Sequence, residues 1–201
     1  MNLAILRCRA QYGTEAPPVT IEVFLSGGLP AFTIVGMPET AVRESKDRVR
    51  GALLSSGFEF PQQRITVSLG PAEMRKTGGR YDLAIALGIL AARKQFPVTA
   101  LRGVECYGEL ALSGELRSVA GLLPSVIKAH EAGHQVIVPR ENAPEAALAG
   151  ATVIGAATLV EVTAHLAGRD PLPLERAVHL PELTGARVDL ADVKGQQFAK
   201  R

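Results

Sequence analysis

The chain has little of several things that usually announce a function. Its 201 residues include two cysteines, Cys8 and Cys106, no tryptophan, three tyrosines and six phenylalanines. Each cysteine sits in an alternating apolar segment, which fits a buried reduced thiol better than a disulfide or a metal ligand. Scarce aromatics leave few platforms on which bases could stack. Charge of one sign is lacking as well. Against 20 acidic side chains stand 22 basic ones, for a net +2, so any basic surface has to be local. No apolar run approaches the ~18 residues of a membrane span and no secretory leader opens the chain, so a cytoplasmic protein without a membrane partner is expected. The histidines His130, His134, His165 and His179 have no close-set carboxylate or cysteine partners, which argues against a metal site.

What is present is a 47% hydrophobic chain, enough for one sizeable core. Strands are expected first: Leu3, Ile5 and Leu6 precede a polar turn at 11–18, and Val19, Ile21, Val23 and Leu25 then alternate. Gly27-Gly28 turns the chain into a third strand, Ala31 to Val35. Pro38 suits the first turn of a helix that runs to Ser56 with Val42, Val49, Ala52 and Leu53 as its apolar stripe. Arg64 to Leu69 reads as a strand, and Asp82 as the cap of the next helix. That helix, Leu83 to Ala92, is apolar all round, which predicts burial against a sheet on one face and another element on the other.

Alternation continues with a strand over 104–112, a tight turn at Gly114, a helix over 119–132 and a strand over 135–138. A helix over 141–149, a strand over 152–154 and a helix over 159–167 ended by Gly168 complete a domain of residues 1–168. Mixed order early and α/β alternation later favour α+β layers over a doubly wound sheet. From Arg169 on, Pro171, Pro173 and Pro181 break the pattern, so residues 169–201 read as a linker. The end of the chain reads as a helix that begins near Gln196 and is cut short.

Two resemblances are carried by particular residues. The stretch from Gly108 to Gly133 has the frame of a Lon-type protease domain. Gly28-Leu-Pro-Ala-Phe-Thr-Ile-Val-Gly-Met-Pro-Glu-Thr-Ala-Val-Arg-Glu-Ser45 and Ser56-Gly-Phe-Glu-Phe-Pro-Gln-Gln-Arg-Ile-Thr-Val67 are similar to the N-terminal domain of the ComM/YifB family of Mg-chelatase-like AAA+ proteins. So are Tyr81-Asp-Leu-Ala-Ile-Ala-Leu-Gly-Ile-Leu90, Val138-Pro-Arg-Glu-Asn-Ala143 and Asp192-Val-Lys-Gly-Gln196. The resemblance implies a ribosomal-S5-domain-2-like, Lon-protease-like two-layer domain whose linker leads into an AAA+ module. It also implies a hexameric ATPase that promotes branch migration of DNA in natural transformation. ATP and Mg²⁺ would then bind in that further module, and no cofactor is expected in residues 1–201.

Lon-type proteolysis needs a serine activated by a lysine. By resemblance the nucleophile's loop falls on Gly78-Gly-Arg-Tyr-Asp82, which places Arg80 at the serine position. The lysine's stretch falls on Ala120-Gly-Leu-Leu-Pro-Ser125, so Leu123 and Ser125 stand where the amines would be. No catalytic residue is therefore assigned. Ser68, Ser113 and Ser118 remain as hydroxyls and Lys128 as an amine, with no spacing that pairs them. Two basic clusters are candidates for sequence-independent DNA contact: Arg43, Lys46 and Arg50 at helical spacing, and Arg75, Lys76 and Arg80. The bland alternative for the first is a solvated face paired with Glu39, Glu44 and Asp47. Gly78 and Gly79 before a helix, with the second cluster, also suit a phosphate ligand, although Asp82 would compete for the same amides and no Walker A loop occurs. A Lon-like peptidase and a phosphate-ligand domain are thus the alternatives to an accessory domain of a DNA motor. Phe58 and Phe60 are expected in the core.

Overall fold

The computed structural model describes residues 2–175 and 194–195. Strands β1 (Leu3–Arg9), β2 (Pro18–Ser26) and β3 (Ala31–Val35) form where alternation predicted them. Helices α1 (Thr40–Arg43) and α2 (Ser45–Ser55) follow, then β4 (Arg64–Gly70), α3 (Asp82–Ala92) and β5 (Val104–Cys106). A short hairpin, β6 (Glu109–Leu110) and β7 (Leu116–Arg117), precedes α4 (Leu123–Glu131) and β8 (Gln135–Pro139). The described chain ends through α5 (Ala143–Ala147), β9 (Val153–Ala156), α6 (Leu159–Leu166) and β10 (Leu174–Glu175).

Among the described residues, eight strands form one sheet in the order β10-β9-β8-β5-β1-β2-β4-β3. The pairs β1–β2, β2–β4 and β9–β10 are antiparallel, and the other four are parallel. This is a mixed α/β domain, in line with the α+β reading. Strand β2 buries Val19, Ile21, Val23 and Leu25 and exposes the residues between them, because a period of two sends alternate side chains to opposite faces. On the buried face lies α3, packed across β1 and β2 with α2 on its other side. Every residue of α3 is buried, as an all-round apolar helix requires. Gly88 permits the close approach: a Cβ there would overlap the Val23 side chain and come within 2.9 Å of Leu6 Cδ1. No described helix is long and apolar enough to cross a membrane.

Several local expectations give way to tertiary contacts. The single helix expected from Pro38 is two helices joined at Glu44, and Pro38 stays outside both because it bridges to Lys76. Asp82 does not cap α3; Tyr81 holds the cap position, and Asp82 is the first helical residue with its carboxylate turned to other partners. The strand expected over 104–112 breaks after β5. Tyr107 still donates its amide to Ile137 O, but Gly108 leaves the sheet, accepting from Leu83 N and donating to Arg80 O. Helix α4 begins four residues late because the Asn142 amide holds both backbone groups of Val119, at 2.8 and 3.0 Å. A 3-10 turn over Arg140–Asn142 takes the start of the helix expected at 141. Within the expected linker, β10 pairs with β9. Residues 176–193 and 196–201 of that linker, which include Pro181, His179, Asp192 and Gln196, lie outside the described residues. Phe58 and Phe60 are half-buried against the core rather than inside it.

Cys8 on β1 and Cys106 on β5 are both buried and free. Burial pushes the Cys106 thiol from 9.0 up to about 12, and Cys8 rises for the same reason. The unfolded thiols ionise first, so their contribution is complete below pH 9 and fades as pH rises toward 12. The expected loss is about 1.4 kcal/mol per pH unit for each thiol across that window. Melting temperature should therefore fall on the alkaline side, and less in a Cys8→Ala/Cys106→Ala variant. Parallel pH profiles for the two proteins would contradict the assignment.

Candidate functional site

The start of α3 is where most of the singled-out residues meet. Asp82, fully buried, accepts a hydrogen bond from Ser45 Oγ and a 2.6 Å ion-pair bond from Arg48 Nε, both on α2. The amide of Leu110 on β6 adds a third at 3.2 Å. Burial pushes the Asp82 carboxyl up, with the bonds from Arg48 and Ser45 pulling the other way. The same contact holds the Arg48 guanidinium above its ordinary pKa, and so firmly charged. One carboxylate thereby locks α2, α3 and the β6–β7 hairpin together.

One residue earlier the chain points the other way. Arg80 is 2% exposed and donates to Gln11 Oε1 and Ala120 O, both at 2.9 Å, and to Ser125 Oγ at 3.4 Å. The positions that the Lon resemblance assigned to a serine and a lysine are therefore neighbours, and they carry an arginine and a serine. Leu123 is half-buried at the start of α4. Lys128 pairs with Glu131 at 2.8 Å. Among the described residues no serine hydroxyl is hydrogen-bonded to a lysine amine. Arg80 lines a cleft of about 300 Å³ with Gln11, Gly78, Gly79, Glu109 and Ser118.

The two basic clusters fare differently. Lys76 is fully buried, its amine donating to Pro71 O and its pKa lowered by that burial. With Arg80 buried too, the second cluster is not a surface patch, and only Arg75 of the three is exposed. Both buried cations donate to backbone or side-chain acceptors that no local pattern reveals. In the first cluster Arg43 and Arg50 are exposed and Lys46 is half-buried. Arg43 Nε donates to Pro38 O at 3.2 Å, and the Arg50 guanidinium lies 4.9 Å from the centroid of the Phe60 ring. Phe32 of β3 flanks that ring at 6.1 Å. Glu44, offered above as a partner for this face, pairs instead with Arg48 at 3.8 Å. The bridge between Pro38 and Lys76 brings Arg75 to the same end of the molecule as Arg43. Gly36 makes that loop possible: at φ 101° it passes over Leu69 O so closely that a Cβ would overlap the carbonyl.

A second buried network escaped the sequence reading. Glu105 accepts from Arg9 Nε and Nη2 at 3.0 Å and from the Tyr107 hydroxyl, and His134 Nδ1 lies 2.8 Å away. His134 thus has a carboxylate partner 29 residues distant in sequence. The available signals were a lone glutamate inside an apolar strand and Ser45 and Arg48 one helical turn apart. Among the described residues no group of three or more His, Cys, Asp or Glu side chains could hold a metal ion.

Mixed sheet, buried central helix and arginine-bearing cleft define an α/β domain built around a loop-to-helix junction. A family model described as subunit ChlI of Mg-chelatase matches residues 21–142. The competence protein ComM of Haemophilus influenzae is 46% identical over 208 residues, covering 100% of this chain and 40% of its own length. Proteins called YifB from Salmonella typhimurium and Escherichia coli, both described as uncharacterized, are 47% and 44% identical, again over 100% of this chain and 40% of theirs. The chain therefore belongs to the Mg-chelatase ChlI family, in its ComM/YifB-like branch. It spans about 40% of the length of those relatives.

Proposed function

We propose that this chain is the non-catalytic, S5-domain-2-like part of a Mg-chelatase-like AAA+ ATPase and meets DNA through the cations of α1 and α2. The observation that carries the reading is that Arg43, Lys46 and Arg50 have no carboxylate within 4.0 Å among the described residues, although Glu39, Glu44 and Asp47 are close in sequence. Unpaired cations at helical spacing suit backbone phosphates, whose contacts release counterions and carry no base readout. Arg50 over Phe60 adds a flat cationic face beside them, which partly offsets the scarcity of aromatics. Arg75 extends the patch. In this proposal the whole protein is a cytoplasmic hexameric DNA helicase or branch-migration motor of natural transformation, consistent with the name of the Haemophilus relative. ATP and Mg²⁺ bind in its AAA+ module, and this domain contributes DNA contact or ring assembly.

The test is fluorescence anisotropy of the chain with labelled single-stranded and duplex DNA over a range of salt. Three to four phosphate contacts predict a log–log slope of about −3 on duplex. Charge reversal by Arg43→Glu/Lys46→Glu/Arg50→Glu should lower affinity by at least about tenfold. No binding at low ionic strength, or a triple variant that binds like the parent, would remove this face from the DNA path.

A further inference from the structure

Buried cations normally face buried anions, because a charge taken out of water loses its hydration and needs a partner to offset that loss. Arg9 answers to Glu105 and Arg48 to Asp82. Arg80 has no such counterpart. At 2% exposure its three acceptors are an amide oxygen, a carbonyl and a hydroxyl, and no described carboxylate lies within 4.0 Å. A guanidinium has five N–H donors. Nη2 spends two and Nη1 one, which leaves the Nε hydrogen and the second Nη1 hydrogen without a described acceptor. The cleft that Arg80 lines, of about 300 Å³, is open to a small ligand.

We infer that this cleft binds a small oxyanion of the phosphate-ester class, with Arg80 as its charge partner. Asp82, which the sequence set against such a ligand, is no obstacle: both its oxygens are used by Ser45, Arg48 and Leu110 N. The free Nε–H can donate to a phosphate oxygen, and such a charge-assisted hydrogen bond strengthens in a desolvated setting. Glu109 also lines the cleft, its carboxylate 3.5 Å from Arg117. A carboxylate there repels the ligand, so the site is weak as built and tightens when Glu109 is neutralised. The cleft is separate from the exposed cations of α1 and α2, and its occupant does not depend on DNA contact by that face.

The experiment is a ¹H–¹⁵N NMR titration of the chain with sodium phosphate at constant ionic strength, run in parallel with sodium acetate. Saturable shifts of the Gly78, Gly79, Ser118 and Ala120 amides and of Arg80 Nε–H are expected, with a dissociation constant on the order of 1 mM. Glu109→Gln should bind phosphate several-fold more tightly, and Arg80→Met, if its spectrum shows a folded protein, should lose the saturable shifts. Glu109→Gln keeps the test decisive should the Arg80 variant unfold. Shifts that never saturate, a Glu109→Gln variant that binds no better than the parent, or acetate binding as tightly as phosphate would overturn the assignment. Phosphate shifts confined to Arg43, Lys46 and Arg50 would likewise empty the cleft, while leaving the DNA-contact proposal standing.

Discussion

Replacing Asp82 with alanine should cost about 3–5 kcal/mol of folding stability, read from urea unfolding at neutral pH. The side chain is fully buried and receives Arg48 Nε at 2.6 Å, Ser45 Oγ and the Leu110 amide. Alanine leaves all three donors without their acceptor where water has little access. Asp82→Asn separates charge from geometry, because an amide oxygen still accepts from Arg48 and Leu110 N while the ionic part is lost. Since Arg48 keeps 20% of its side-chain surface in contact with solvent, the asparagine variant should lose clearly less than the alanine one. An alanine variant within about 1 kcal/mol of the parent would mean that α2 is held by its apolar stripe alone.

Glu105→Ala should be comparably severe, again about 3–5 kcal/mol, for a different reason. Here the stranded partner is Arg9, only 10% exposed, together with Tyr107 and His134. Because desolvating two charges offsets much of their attraction, removing both is milder than removing one. The double variant Arg9→Met/Glu105→Leu should therefore recover a large part of the loss. Equal destabilisation of the single and double variants would place the effect in strand packing between β1 and β5 rather than in an unpaired buried charge.

Much of the scaffold was legible from local pattern. Alternation over 19–25 located β2, and the all-round apolar run over 83–92 predicted a helix covered on both sides, which α3 is. Such periodic signals survive because one repeat decides which face of an element meets the core. Boundaries set by a distant partner were not legible. Val119 and Gly108 look like ordinary helix and strand residues, and leave those elements because Asn142, Arg80 and Leu83 hold their backbone groups.

At the site the division is sharper. Three exposed or half-exposed cations on α1 and α2 could be named from helical spacing, since residues three and four apart share a face. Lys76 and Arg80 could not be told from surface residues, because a charged side chain in a loop carries no mark of burial. Arg48 and Glu105 were missed for the same reason: their partners lie 34 and 96 residues away.

By itself the sequence determined the family, the order of the main strands and helices, and the arginine and serine that stand at the two positions of the Lon resemblance. Only the tertiary structure decided which charges are buried, which are matched, and that Arg80 meets Ser125 with no described carboxylate within 4.0 Å of its guanidinium. Periodicity is a property of neighbours along the chain, whereas the cost of a buried charge depends on whatever the fold brings beside it.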